Sequence, residues 1–565
     1  MGNRNMSFTE QFTDYKDCCP PGVRLPEIEI EQKYYDILKS DNTISNFEFL
    51  KKLCHKGVYD KGIDKFNNKK DYFDRAKEEL KILKELGFID YILLNWDIIN
   101  FCHEQDIPTG PGRGSAAGSL VLYLIGVTNV DPVKYNLFFE RFVSKSRAKK
   151  TIQDGVTFLD GSLLADVDND IAYERRIEVI EYIEKKHPGR TAKILTLNTL
   201  SGKLCIKECG KIVGELSEQE VNEVSVTIPK KFGVVLPISA ALEESEKFAE
   251  WSGENSEVFE IALKLEGLNK NTGVHPSGIA ISFDEITKTC PTQRTNDGAL
   301  VTGYDMNWVS ELMVKFDILG LRTLSVISDV CKNLEISSEE IDLNDSSLFT
   351  PLQSLKTPHG LFQLESDTNF RVCKKIKPVD LEQLSAVIAI GRPGALDFLD
   401  SYVTYSESGE SQVIHDFFTD ILDYTGGIPL YQEQLMQMAV KIGFTLDEAE
   451  QLRRIVGKKK VDQMPAWKAK IEEKVEENNL PREISQILWG VAEDSANYSF
   501  NKSHSISYSV LSAWTTYLKF NHPQQFFLSL LKMTKYEPSP QEEISKISKE
   551  LSHFGIRLLC PDLAK

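Results

Sequence analysis

Asp166-Val167-Asp168-Asn169-Asp170 and, much later in the chain, Met313-Val-Lys-Phe-Asp317-Ile-Leu-Gly-Leu-Arg-Thr323 are the two stretches on which the fold turns. In an extended strand successive side chains point to opposite faces, so Asp166, Asp168 and Asp170 share a face and at least two of them can reach one cation. Asp317 interrupts the apolar run Val314 to Leu321, where an ionised carboxylate is costly unless a metal or another cation compensates it. Magnesium suits such oxygen ligands. It is held by one or two protein carboxylates plus substrate phosphates, and two such ions clamp the attacking and leaving oxygens of an in-line phosphoryl displacement. A solvated acidic turn is the plainer reading and stays open at this point. A calcium EF-hand loop is excluded, because Ile171 and Ile177 stand where that loop needs Gly and Glu.

A chain of 565 residues, 41% of them hydrophobic, can bury several cores, and at ~150 residues per domain it predicts three or four domains. No apolar run of about 18 residues is present, and Met1 to Phe12 is polar, so the expectation is a soluble, unexported, cytoplasmic protein with no membrane partner. Cys54, Cys102, Cys290, Cys331, Cys373 and Cys560 each stand alone, which fits reduced thiols. Cys205-x-x-x-Cys209 and the adjacent Cys18-Cys19 lack a second matching pair, so no zinc site is expected. A net charge of −18 argues against a nucleic-acid grip. Distribution argues the other way. RFVSKSRAKK (141–150), RVCKKIK (371–377) and LRRIVGKKK (452–460) carry basic and no acidic residues. Any one of them reads as a solvated face, whereas three together suggest polyanion contact.

Residues 72 to 87 place Phe73, Ala76, Leu80, Leu83 and Gly87 on a helical stripe that leads into the apolar stretch Phe88 to Phe101. Ile107-Pro-Thr-Gly-Pro-Gly-Arg-Gly-Ser-Ala-Ala-Gly-Ser119 then precedes the apolar run Leu120 to Val127 and reads as a glycine-rich turn opening onto a helix. Such a turn can present backbone N–H groups and a helix dipole to a phosphate, with Arg113 supplying charge, or it can be a tight helix entry. It is neither a dinucleotide fingerprint nor a P-loop: the residues before it are too polar for the required strand, and no Lys-Ser/Thr follows at the right spacing. Lys203, Lys207, Lys211, Lys230 and Lys231 are the notable charges of a helix-rich stretch from 190 to 272. Asn271 to Gly278 reads as a turn-forming loop before a strand Ile279 to Phe283, with His275 a hydrogen-bonded loop residue.

Seven motifs occur in order: GPGRGSAAGSL (110–120), FERF (139–142), D-x-D-x-D (166–170), VKFDILGLRTL (314–324), YQEQLMQMA (431–439), LRRIVGKKK (452–460) and FNKSHSISY (500–508). From about Leu25 onward the chain resembles the alpha subunits of bacterial DNA polymerase III, the C-family replicative polymerases. The resemblance implies an α+β fold: a palm similar to the polymerase beta nucleotidyltransferase, at 23–197 and 273–322, with a mostly helical thumb at 198–272 and mostly helical fingers at 323–565. Residues 1–22 would be an N-terminal extension. It implies that Asp166, Asp168 and Asp317 bind two Mg2+ ions, with Mn2+ as a substitute, and that Gly114 and Ser115 hold the triphosphate. Lys315, Arg141, Arg453 and Arg454 would meet the incoming nucleotide. The implied partners are primer–template DNA and dNTPs, with a sliding clamp or a partner chain for functions this chain lacks.

The chain departs from the family pattern in several places. The expectation is that the PHP, helix-hairpin-helix, clamp-binding and OB modules are absent. Val143 to Ala165 is longer than the family's link and predicts an inserted hairpin beside the active site. Ala165 replaces a Pro, Ser499 a Gly, and Gly391 a Tyr. The acids and the phosphate-facing cations remain, so an active DNA-directed DNA polymerase is expected. The alternatives are a split polymerase that binds DNA but needs a second chain, and a template-independent nucleotidyltransferase.

Overall fold

The computed structural model describes residues 20–145, 149–161, 164–231, 234–392, 394–458 and 463–559. The polar stretch Met1 to Phe12, Cys18, Cys19, Arg147, Lys459, Lys460 and Cys560 lie outside them. The chain is a mixed α+β protein, mostly helical, with small sheets, and divides into two compact units. The first comprises Met1–Thr191, Ile281–Glu285 and Ser310–Lys565, and the second Ala192–Ala280 and Ile286–Val309. Among the described residues no helix is long and apolar enough to cross a membrane. Among the described residues seven cysteines, including Cys205 and Cys209, are free and buried.

In the first unit the predicted stripe forms the helix Lys69–Leu86, stopped by Gly87 at φ 79°, a left-handed C-cap that glycine adopts without penalty. Its buried face runs through Tyr72, Ala76, Glu79, Leu80 and Leu83, so Phe73, expected on the stripe, points outward instead. The apolar stretch after it is the helix Ile89–Glu104, buried nearly all round. The expected hairpin between FERF and the aspartates is present: Lys150–Gln153 pairs antiparallel with Val156–Leu159 across Asp154 and Gly155. Both turn residues have positive φ, the geometry of a tight Asp-Gly hairpin turn. The hairpin leans on the end of the Lys69–Leu86 helix, where the Lys150 ammonium donates to the Glu85 carbonyl, and on the bridge between Val23 and Leu159.

The remainder of this unit is organised by the helix Lys502–Asn521. It is buried on most sides and lined with Ser503, Ser505, Ser507, Ser509 and Ser512. Small side chains allow close packing against the helix Leu381–Ile390. The hydroxyls of Ser507 and Ser509 are satisfied by the carbonyls four residues back, at 2.8 and 2.7 Å. A separate apolar core joins the helices Gln432–Lys441, Leu446–Gly457, Met464–Glu477 and Arg482–Tyr498.

The second unit sets a helical cluster, from Gly202–Ile212 to Ser256–Leu265, around its own core of Cys205, Ile206, Ile238, Phe248 and Val258. Its strands lie in the order Asn269–Ile281, Thr191–Thr199, Leu300–Asp305, Thr292–Arg294. The stretch read as a loop at Asn271 to Gly278 is therefore strand, extended by cross-strand pairing that single-sequence turn signals do not see. His275 is hydrogen-bonded as expected, its Nδ1 accepting the Gly278 N–H at 2.7 Å.

Candidate active site

The Val314–Leu321 strand shows how an aspartate fits inside an apolar run. Val314, Phe316 and Ile318 are buried on one face, and Lys315, Asp317 and Leu319 are half-buried on the other. The strand Asp168–Ala172 lies parallel beside it with Asp168 opposite Asp317, so the two carboxylates rise from one face. Burial raises the Asp168 pKa; Arg113 opposes the shift, and the charges of Asp317 and Asp166 add to it. The Lys315 ammonium sits 2.7 Å from Asp317 Oδ2. Burial alone would lower the Lys315 pKa, but this bond and the fields of Asp317, Asp166 and Asp168 leave it raised. Asp317 Oδ1 is buried and has no hydrogen-bond partner among the described residues.

The other two acids of the D-x-D-x-D run take different places. Asp166 precedes the strand and is exposed, so its predicted position on the strand face is corrected: pairing with the neighbouring strand begins only at Asp168. Asp170 is buried, its side chain 1% exposed, and its Oδ1 lies 3.4 Å from Arg113 Nη1, while Arg113 Nε lies 3.4 Å from Asp168 Oδ2. Burial pushes the Asp170 pKa up to about 6 against the pull of Arg113. Among the described residues no three His, Cys, Asp or Glu side chains are already gathered closely enough to hold a metal. Lys315 and Arg113 lie against the carboxylates instead. The donor set nevertheless fits a hard divalent cation: it is all oxygen, it is half-buried, and one buried carboxylate oxygen has no partner. Asp168 and Asp317, with Asp166 in reach by its field, are the residues that would hold it.

The glycine-rich loop packs along the free edge of the Asp168–Ala172 strand. Gly110 N–H donates to the Asp170 carbonyl at 2.8 Å, and Ala172 N–H to the Pro108 carbonyl at 3.0 Å. Gly112 adopts φ 106°, and a Cβ there would meet the Thr128 methyl at 2.9 Å, so no larger residue fits. Gly114, at φ 62°, donates its N–H to His504 Nδ1 at 3.2 Å, and Ser115 opens the short 3-10 turn Ala116–Gly118. The helix beyond, Leu120–Leu124, does not offer its N-terminus to a ligand as the loop reading allowed. Buried Glu79 takes the N–H groups of Leu120 and Val121, each at 3.0 Å, together with the Ser119 hydroxyl. His504 packs tilted against Tyr508, ring centroids 4.2 Å apart, and Arg113 lies over the Tyr508 ring at 5.6 Å. Burial, then Arg113 and Arg392, push the His504 pKa down to about 4, so its ring is neutral and can accept from Gly114.

A second cluster gathers residues far apart in sequence. Arg141, from FERF, and Arg453 both converge on Glu450, whose side chain is 1% exposed, and on Gln432. Arg141 Nη1 lies 3.3 Å from Glu450 Oε1, and its Nη2 donates to Gln432 Oε1 at 2.8 Å. Arg453 binds Glu450 through two nitrogens, at 2.7 and 2.8 Å. Arg454 is half-buried and lines a cleft of about 190 Å3 with Arg453, Gln432, Lys458, Ser495 and Ser499. Burial pushes neighbouring Glu140 up to about 7. The two clusters are joined by the FNKSH segment. Phe500 exchanges backbone hydrogen bonds with Leu430 and Gln432, Asn501 caps the Lys502–Asn521 helix, and His504 reaches Gly114.

The structure thus brings Asp168, Asp317 and Lys315 together, and Arg141 with Arg453, while Gly114, Ser115 and Arg454 lie beside those groups. Sequence reasoning missed Glu450, Gln432, Glu79 and Arg392. Glu450 carries a local signal, standing one helical turn before Arg453. Nothing local marks the other three.

Residues 48–320 match the family model of the bacterial DNA polymerase III alpha NTPase domain, and residues 323–479 that of the bacterial DNA polymerase III alpha subunit finger domain. Among curated relatives, the DNA polymerase III subunit alpha of Thermus aquaticus is 33% identical over 86% of this chain and 40% of its own length. That of Aquifex aeolicus is 34% identical over 94% of this chain and 47% of its own length. The corresponding figures for Campylobacter jejuni are 34%, 99% and 45%. The chain spans less than half the length of these relatives.

Proposed function

From the premise that this chain belongs to the family of bacterial DNA polymerase III alpha subunits, we propose that it performs template-directed DNA synthesis, transferring a nucleotidyl group from a dNTP to a primer 3′-hydroxyl. One observation carries the reading: Asp168 and Asp317 stand opposite each other on parallel strands, and a buried oxygen of Asp317 has no partner. Asp168 and Asp317 hold the metals, with Asp166 completing the set from its exposed position. Two Mg2+ ions, or Mn2+ in their place, supply activation of the 3′-hydroxyl and neutralisation of the departing pyrophosphate.

The remaining residues bind and orient. Lys315, on the same strand face as Asp317, carries its ammonium toward the nucleotide's phosphates. Ser115 offers its hydroxyl and N–H to triphosphate oxygens at the turn that Gly114 shapes with its φ of 62°, and Arg113 keeps the aspartate strand and the loop in register. Arg141, Arg453 and Arg454 present positive charge to the transferring group, where fixed charge acts without reorganisation. In this reading the palm, similar to that of polymerase beta, spans 23–197 and 273–322, the thumb 198–272 and the fingers 323–565. DNA is held chiefly through its phosphates by Lys and Arg, so binding weakens with salt.

The test is extension of a labelled primer–template by the purified chain with Mg2+ and four dNTPs, beside Asp317→Asn. Extension by the wild type alone supports the reading. Primer–template binding without extension points to a required partner chain, such as a clamp or a subunit supplying further DNA contacts. Extension without template points to a template-independent nucleotidyltransferase.

A further inference from the structure

The helices Asn46–Asp60 and Lys69–Leu86 enclose a groove of about 460 Å3 that none of the residues discussed above for DNA synthesis lines. Its floor is Cys54, Val58, Ala76, Leu80 and Leu124. Phe73, turned away from the core, stands at its edge 43% exposed. Lys51, Lys77, Lys81 and Lys84 rim it. Lys51 and Lys81 meet Glu48 and Glu85 only at 3.5 and 3.9 Å, in exposed pairs of little strength. Lys84 holds its ammonium 4.2 Å from the Phe47 ring centroid, and both residues line the groove.

An apolar trough between two helices, with positive charge along its rim, has the form of a helix-in-groove receptor. The largely apolar floor, with His55 beside it and the lysines confined to the rim, favours an apolar helix face over sugars and phosphates. The rim decides against a basic or neutral segment. We propose that this groove receives an acidic amphipathic helix of a partner protein, its apolar residues at i, i+4 and i+7 filling the floor and its flanking Asp or Glu meeting the lysines. Phe73 closes over one end of that helix, and the lysines set its register and make binding salt-dependent.

The probe is a fluorescein-labelled amphipathic peptide with leucines on one face and glutamates on its flanks, compared with a twin carrying lysines for glutamates, by fluorescence anisotropy. The acidic peptide should bind and the basic twin should not. Phe73→Ser combined with Lys77→Glu should weaken binding by about tenfold or more, because it removes both an apolar contact and a charge at the rim. Circular dichroism and primer extension of that variant should match the wild type, since both side chains are exposed and neither belongs to the aspartate or arginine cluster. The proposal is overturned if neither peptide binds, if the twin binds equally, or if saturating primer–template displaces the acidic peptide. It is also overturned if amide-exchange protection of residues 54–58 and 73–81 in the chain alone is lost when residues 1–19 are removed, or when a dimer is diluted apart. Either result would mean that the chain itself already fills the groove.

Discussion

The aspartate pair and the arginine pair are built on opposite principles. At Asp168 and Asp317 like charges are held on one strand face, burial raises the pKa of Asp168, and an oxygen is left without a partner. At Arg141 and Arg453 two guanidiniums are neutralised in part by one buried carboxylate, Glu450, and share Gln432. The first arrangement, with Lys315 and Arg113 against its carboxylates, still leaves one buried oxygen open, and in the proposed reading divalent cations complete it. The second is complete enough to act as a scaffold while retaining one excess positive charge. On that reading, incompleteness marks where chemistry occurs, and satisfaction marks what holds it in place.

This contrast predicts opposite responses to the same substitution of acid by amide. Asp168→Asn should reduce primer extension by on the order of 10^3, as expected when charge stabilisation at the reacting centre is removed. Its thermal midpoint should nevertheless rise, because an acid whose folded-state pKa is raised is strained when ionised, and the amide relieves that strain. Differential scanning fluorimetry beside the extension assay checks both halves. A lowered midpoint would show that Arg113 depends on Asp168 more than on Asp170. Glu450→Gln should do the reverse. It leaves the buried guanidinium of Arg141 and the half-buried one of Arg453 without their counter-charge and should cost about 3 kcal/mol in urea unfolding, with extension falling only as far as the arginines shift. Equal stability of that variant would remove the scaffold reading.

Legibility follows the same division. The alternation Val314, Lys315, Phe316, Asp317, Ile318 is a local pattern, and it places Asp317 on the open face without any tertiary knowledge. The hairpin at 150–159 is legible from the length of the stretch between FERF and the aspartates, and in the structure it turns on Asp154 and Gly155. What one sequence cannot show is where a strand begins when its partner lies far away, and so the spacing alone puts Asp166 on a strand that starts only at Asp168. The phase of a helix is read poorly where two aromatics, Tyr72 and Phe73, stand side by side, because only packing, and for Tyr72 the hydrogen bond of its hydroxyl to Asp131, chooses between them. Arg141 and Glu450, 309 residues apart, meet through folding alone. A basic cluster gives no hint of which of its members is already neutralised inside.

His504 belongs to both regions, which makes it the place to break the contrast. It accepts the Gly114 N–H beside the aspartates, and it sits at the start of the helix whose preceding residues hold Gln432. Its folded-state pKa is depressed to about 4, below the ordinary value of 6.5, so the stability it contributes is present above pH 6.5 and is lost as pH falls toward 4. His187, also depressed to about 4 by burial and by Lys186 and Arg190, adds a second contribution of the same sign. Between pH 7.5 and 5 each should account for about 2 kcal/mol of acid destabilisation. His504→Asn, whose side-chain oxygen can still accept from Gly114, should flatten that limb by about half in unfolding titrations while leaving neutral-pH extension within a few-fold of the wild type. If extension instead collapses with the fold intact, the imidazole itself, and not only the hydrogen bond to Gly114, is needed at the aspartate site, and the division between scaffold and chemistry would have to be redrawn to place His504 among the groups that meet the substrate.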